Sequence, residues 1–255
     1  MPDTSILLIA CVVFLLAGFI KGFVGFGLPL VAIGLMTTIV GLPTAIALFL
    51  VPAFGTNLWQ GFAGANTAAL FKRYWTFFIP TMFFTWPGTL ALSRVNTNYL
   101  TALLGMLLCT YVVLSLTRSQ FVVPRRLEKP LNPVMGVISG ILAGLTGAFT
   151  MPGVVYLQST LLPRDQLVQA LGMLFTLSTI GLSISMGTQN LLSAELGLVS
   201  VAALLPTFAG MMLGTRIRRR TSEERFRVYF LLALGVLGFY IVARSVTALI
   251  NQPGL

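Results

Sequence analysis

The stretch AGFIKGFVGFGLPLVAIG, residues 17–34, decides the fold. It sets Lys21 and then Gly22, Gly25, Gly27 and Pro29 inside otherwise hydrocarbon-soluble chain. Glycine permits backbone geometry closed to other residues, and proline suits the first position of a helix, where its missing N–H has no partner to lose. The stretch therefore reads as a helix that stops, turns and restarts within a membrane.

The rest of the chain agrees with a membrane setting. It is 56% hydrophobic and 9% charged, a composition that cannot give a soluble surface. About 20 apolar residues span a bilayer as a helix, and the apolar runs here lack the period-2 alternation of a barrel strand. The fold class expected is an all-α polytopic membrane protein. Met1-Pro2-Asp3 has no basic lead-in and no small-residue cleavage site follows, so no signal peptide is expected. Cys11 and Cys109 fall in apolar runs and give no disulfide framework.

Apolar segments fall at 5–20, 28–40, 43–63, 76–93 and 99–117, then at 134–149, 152–162, 166–187, 192–215 and 228–250. The longest polar connection, RSQFVVPRRLEKPLNP at 118–133, separates a first repeat (1–117) from a second (134–255). GFVGFGLP (22–29) aligns with GLTGAFTMP (144–152) if one residue is inserted, so Gly22, Gly25 and Pro29 answer to Gly144, Gly147 and Pro152. IPTMFFTWPGT (79–89) matches LPTFAGMMLGT (205–215) without a gap, and TYVV (110–113) resembles FYIV (239–242). Internal similarity of this kind marks transporters built from structural repeats.

In each half the first two segments are short for a bilayer, so 5–40 and 134–162 read as glycine-rich hairpins, broken or re-entrant, each followed by three transmembrane helices. That gives each repeat an odd number of crossings and makes the repeats inverted. Charge supports the count. With the 118–133 linker in the cytoplasm, Lys72, Arg73, Arg118, Arg125, Arg126, Lys129, Arg164, Arg216, Arg218, Arg219, Arg220, Arg225 and Arg227 fall on the cytoplasmic side; Arg94 and Arg244 fall outside with both chain ends. The net charge of +10 is thus topological, and no nucleic-acid partner is expected. Lipid surrounds the helices, and the sequence permits a homodimer.

Helix starts at membrane depth must line a cavity or be packed in protein, and their partial positive charge makes them anion sites. Lys21 adds a full charge that costs about 2.5–3.5 kcal/mol on insertion scales unless it faces a polar cavity. A small anion is its expected partner. The residues expected to bind it are Lys21, Gly22, Gly25, Gly27, Pro29, Asn57, Gln60, Gly147, Thr150, Pro152 and Gln158, with Thr56, Thr146, Tyr156 and Ser159 as further uncharged donors. Asn57 and Gln60 stand one turn apart on one helix face.

Absences narrow the function. The chain has no His, and its six acidic residues lie in predicted loops or at helix ends. Carboxylate-based cation sites and proton relays are disfavoured, no Walker glycine loop is present, and no general base is evident. No metal, cofactor or catalytic residue is expected.

KGFVGFGLPL, its partner GLTGAFTMPGV, the central basic loop and the chain length resemble the TauE/SafE family of membrane permeases. The resemblance implies export of a small sulfur-containing or organic anion, such as sulfite or sulfoacetate, across the bacterial inner membrane by a two-repeat fold. An anion channel, or a carrier of another small organic anion, is the alternative. The second hairpin carries Ala143 where Lys21 stands in the first, so the charge at the site is one-sided.

Overall fold

The computed structural model describes residues 4–117, 122–149, 151–218 and 223–251. Among these are ten α-helices and no strand. Five belong to the first half: α1 (Thr4–Val24), α2 (Leu28–Val40), α3 (Leu42–Phe62), α4 (Thr67–Leu92) and α5 (Thr97–Leu116). Five belong to the second: α6 (Arg125–Thr146), α7 (Gly153–Ser159), α8 (Arg164–Thr188), α9 (Ala194–Arg218) and α10 (Glu223–Ile250). Six of them, α1, α3, α5, α8, α9 and α10, are long and apolar enough to cross a membrane. The protein is a polytopic, multi-pass membrane protein.

Both halves break where the glycines are. α1 closes with the Gly25 N–H on the Lys21 carbonyl at 2.8 Å, and Gly25 and Gly27 take φ of 97° and 109°, which only glycine adopts without strain. In the second half the Gly147 N–H bonds the Ala143 carbonyl at 2.7 Å with φ of 69°.

Several boundaries differ from the sequence reading, among them those of α1, α6 and α4. α1 extends to Val24 rather than ending near residue 20, because Gly18 and Gly22 pack against α9 instead of breaking the helix. At 21 residues it measures about 31 Å, so it is a full-length helix and not a short hairpin arm. α6 begins at Arg125, inside what reads as a polar linker, with Glu128 in its first turn against α4. α4 begins at Thr67 and carries Lys72 and Arg73 in its early turns. Arg118, Arg219 and Arg220 lie outside the described residues.

The halves pack through glycines, and the contacts repeat. A Cβ on Gly18 or Gly22 of α1 would collide with the Thr207 or Met211 carbonyl of α9. One on Gly140 or Gly144 of α6 would collide with the Thr81 or Thr85 carbonyl of α4. In the alignment read from sequence, Thr81 and Thr85 answer to Thr207 and Met211. Gly25 likewise rests on Val168 of α8, and Gly147 on Ile46 of α3. Small residues are what let helices approach this closely in a bilayer.

Contact order fixes helix directions. Residues 18 and 22 meet 207 and 211 in rising order, so α1 runs parallel to α9; residues 136, 140 and 144 meet 77, 81 and 85, so α6 runs parallel to α4. α3 is parallel to α9 (Leu48 to Ser200, Gly55 to Leu204), and α4 to α8 (Met82 to Gly181, Ser93 to Gln189). α5 and α10 are antiparallel (Gly105 to Gly238, Ser115 to Arg227). Lys72, Arg73, Arg125, Arg126, Lys129, Arg164, Arg216, Arg218 and Arg227 consequently collect at one end of the bundle, the basic end, while Arg94 and Arg244 lie at the other.

On α10, Arg227 donates to the Ser115 carbonyl at the end of α5, and Arg244 to the Thr38 carbonyl at the end of α2. Each cation caps a helix C-terminus. Their 17-residue separation is about 25 Å of helix, close to the ~30 Å hydrocarbon thickness.

Candidate functional site

Lys21 sits in the last turn of α1 and is 2% exposed. Its Nζ donates to Thr56 Oγ1 at 2.9 Å and to Asn57 Oδ1, both on α3 and both buried. Thr56 is free to accept because its own hydroxyl hydrogen goes to the Pro52 carbonyl at 2.7 Å. Both acceptors are neutral, so the ammonium is solvated by dipoles while its charge stays unbalanced by them.

α3 carries Pro52 one turn before Thr56. Proline lacks the N–H that would bond the Leu48 carbonyl, and Ser200 of α9 takes that carbonyl instead at 2.8 Å. The proline thereby couples the helix that holds Lys21 to the opposite half.

Gln60 braces the first break. Its Nε2 donates to the Gly25 carbonyl at 2.9 Å and to the Val168 carbonyl at 2.8 Å, tying the first break to α8. Gly22 is consumed in packing on α9, Gly25 and Gly27 form the turn, and Pro29 is the second residue of α2. Gly147 closes α6, Pro152 precedes α7, and Gln158 lies within hydrogen-bonding reach of the buried Tyr111 on α5. Thr146 bonds the Leu142 carbonyl and accepts from the Ala148 N–H, which makes it a turn residue. Ser159 bonds the Tyr156 carbonyl. Thr150 lies outside the described residues.

Lys21, Thr56 and Asn57 thus come together, with Gln60 and Gly25 one turn away. The second break lies elsewhere. Gly25 meets α8 at Val168, whereas Gly153 meets it at Leu174 and Phe149 at Phe175, about 10 Å further along. On α3 the two breaks meet Gln60 and Ile46, about 20 Å apart. The helix starts do not face each other at one depth, because full-length α1 carries its break toward the basic end. α1 runs antiparallel to α8, so the step from Gly25 back to Lys21 leads toward the second break. The ammonium lies between the two breaks.

Two features escaped the sequence reading. Glu128 reads as a loop acid yet is buried and ion-paired to Arg73, and Tyr156 donates to Asn132 at 2.6 Å. The Glu128–Asn132 spacing of one helical turn is the only sequence signal for it. The other is Ser139 of α6: it is 1% exposed, its hydroxyl has no partner, and it lies 3.3 Å from where a Cβ on Gly153 would stand. Thr37, Ser178 and Ser185 are likewise buried without a partner among the described residues, whereas Thr81, Thr89, Thr176, Thr179 and Thr207 bond their own helix four residues back.

The family model described as sulfite exporter TauE/SafE matches residues 10–241. No curated protein and no solved structure matches the chain. The match takes in both helix breaks, Lys21 with its α3 partners, eight of the ten described helices over their whole length and most of α1 and α10, and on that coverage the chain belongs to the TauE/SafE sulfite exporter family.

Proposed function

We propose that the protein is a secondary transporter that exports a small anion, sulfite or an organosulfonate such as sulfoacetate, by alternating access, and that it is not an enzyme. The observation that carries this reading is the buried Lys21 ammonium, held by two neutral oxygens between two helix breaks. A cation so placed is costly in a bilayer interior unless an anion joins it. Thr56 and Asn57 orient the ammonium, and the backbone at the first break adds N–H dipoles at the start of α2.

The helix directions support two inverted repeats, 1–117 and 134–255, joined by a linker at the basic end. Each half's α1 or α6 packs on the other half's fourth helix, and α5 runs against α10. Rocking one set of elements against the other would then expose the site to each face in turn. The basic end fits the cytoplasmic face of a bacterial inner membrane, with both chain ends periplasmic. An interior-negative potential favours outward anion movement by about 2.3 kcal/mol per charge per 100 mV, so no coupling ion is required.

The test is thermal unfolding of purified protein titrated with sulfite, sulfoacetate, sulfate, taurine and acetate. A ligand at 100 times its Kd stabilises by about 2.7 kcal/mol. At least one sulfur oxyanion is expected to raise the midpoint in wild type and to leave Lys21→Met unmoved. A wild-type midpoint indifferent to every anion sinks the reading.

A further inference from the structure

The basic end carries a polar cluster that the anion site does not use. Arg73 of α4 grips Glu128 of α6 with two hydrogen bonds, Nε to Oε2 at 2.8 Å and Nη2 to Oε1 at 2.6 Å. The Glu128 side chain is 6% exposed and the Arg73 side chain 25%. The guanidinium also lies 5.0 Å over the Tyr74 ring. One turn along α6, Asn132 donates to the Arg73 carbonyl at 3.2 Å and accepts from the Tyr156 hydroxyl of α7. Tyr74 donates to Thr160, just past α7, at 2.9 Å. Both arms of the second break are therefore fastened to α4 at the basic end, through side chains that water could solvate equally well.

The other end of the bundle is fastened differently. Carrying the sequence alignment outward places Val199 and Ser200 where Arg73 and Tyr74 stand, and Ile6 and Ala10 where Glu128 and Asn132 stand. Val199 and Ala10 are buried apolar residues. Opening that end exposes these apolar side chains to water, whereas opening the basic end also parts an ion pair whose two members can then be hydrated.

We propose that the Arg73–Glu128 pair, with Asn132 and Tyr156 behind it, is the basic-end gate of the transporter, a latch whose release admits water to the second helix break. What lies behind it is Ser139, on the same face of α6 as Glu128 and Asn132, buried, with an unpartnered hydroxyl beside Gly153. The latch rests on the transporter reading for its purpose, but its opening is measurable without any substrate.

The experiment replaces Cys11 and Cys109 by Ala, introduces Ser139→Cys, and follows labelling of the introduced thiol by a membrane-impermeant methanethiosulfonate in sealed vesicles of both orientations. Lys129→Cys, exposed at the basic end, identifies the orientation. Glu128→Gln and Arg73→Gln are each expected to raise labelling in the Ser139→Cys background from the basic face about tenfold, the population change for a loss near 1.4 kcal/mol, with no rise from the opposite face. Tyr156→Phe keeps both charges and is expected to give a smaller rise on the same face. Exchanging the charges, Arg73→Glu with Glu128→Arg, is expected to bring labelling back toward the parent and covers the case in which a single variant fails to fold. Labelling that does not respond to the latch variants, or that rises equally from both faces, overturns the proposal. Because no anion is added, failure here is distinct from absence of ligand-induced stabilisation.

Discussion

Gly61 and Gly172 pack backbone against backbone where α3 crosses α8: a Cβ on Gly61 would stand 2.7 Å from the Gly172 carbonyl carbon. The crossing lies one turn beyond Asn57 and within a turn of Leu174, so it sets how the Lys21 cluster stands relative to the second break. Backbone cannot move aside as a side chain can. Gly172→Leu is expected to cost about 1–3 kcal/mol in detergent unfolding by overpacking. Gly197→Leu, at a position with nothing within 4 Å, is the matched control and is expected to change little. Equal effects from the two would mean that the crossing is not a constraint.

A second expectation concerns the buried ammonium. Asn57→Leu removes one acceptor and leaves a desolvated charge short of a partner, which costs about 1–3 kcal/mol. Adding Lys21→Met to Asn57→Leu removes the charge as well and is expected to recover most of that loss, since replacing both members of a buried polar pair by apolar groups is close to neutral. Ligand-free unfolding of the two singles and the double measures the coupling. Additive losses would place Lys21 and Asn57 in separate environments.

Gln60 offers a third. Gln60→Leu leaves the Gly25 and Val168 carbonyls without their shared donor. Hydrogen exchange is expected to quicken by about tenfold at the amides after Gly25, local opening that costs about 1–2 kcal/mol less than in wild type, while the end of α10 stays unchanged. Unaltered exchange at the break would mean that the turn is held by its glycines alone.

Much of this architecture was legible in the primary structure because its signals are local. Gly18, Gly22, Gly140 and Gly144 repeat at helical spacing, and the alignment of the halves through Gly22 and Gly144 pairs the contacts that those glycines make, though not the helices they meet. Lys21 stood out because hydrocarbon makes a lone charge conspicuous. What was not legible depends on partners distant in the chain. Arg73 and Glu128 are 55 residues apart, and beyond the one-turn spacing of Glu128 and Asn132 nothing says that a residue in a proline-rich basic stretch will be buried. α1 outruns its apparent end because α9 covers its glycines, and nothing near Gln60 says that its amide will donate to Gly25 and Val168.

Pro52 and Ser200 give the last expectation. In the middle of α3 the proline ring leaves the Leu48 carbonyl without its helical donor, and in a membrane interior no bulk water stands by to take it. Ser200 of α9 donates to it at 2.8 Å and also receives the Val51 N–H at 3.2 Å, so one hydroxyl from the opposite half of the chain supplies the missing donor. Ser200→Ala alone is expected to cost about 1–2 kcal/mol, the desolvation penalty of an orphaned carbonyl. With Pro52→Ala present, the new alanine N–H can bond Leu48 along the helix, and the same Ser200→Ala change is expected to cost little. The cycle should therefore show a coupling of about 1 kcal/mol. The coupling matters for transport because this contact ties α3, which holds Lys21, to α9 of the opposite half. If it is real, Ser200→Ala also weakens the link between the Lys21-bearing side of the site and the other half, and the anion-dependent midpoint shift should fall with it. Simple additivity in the cycle would show that Ser200 is a packing residue and that Pro52 is repaired some other way.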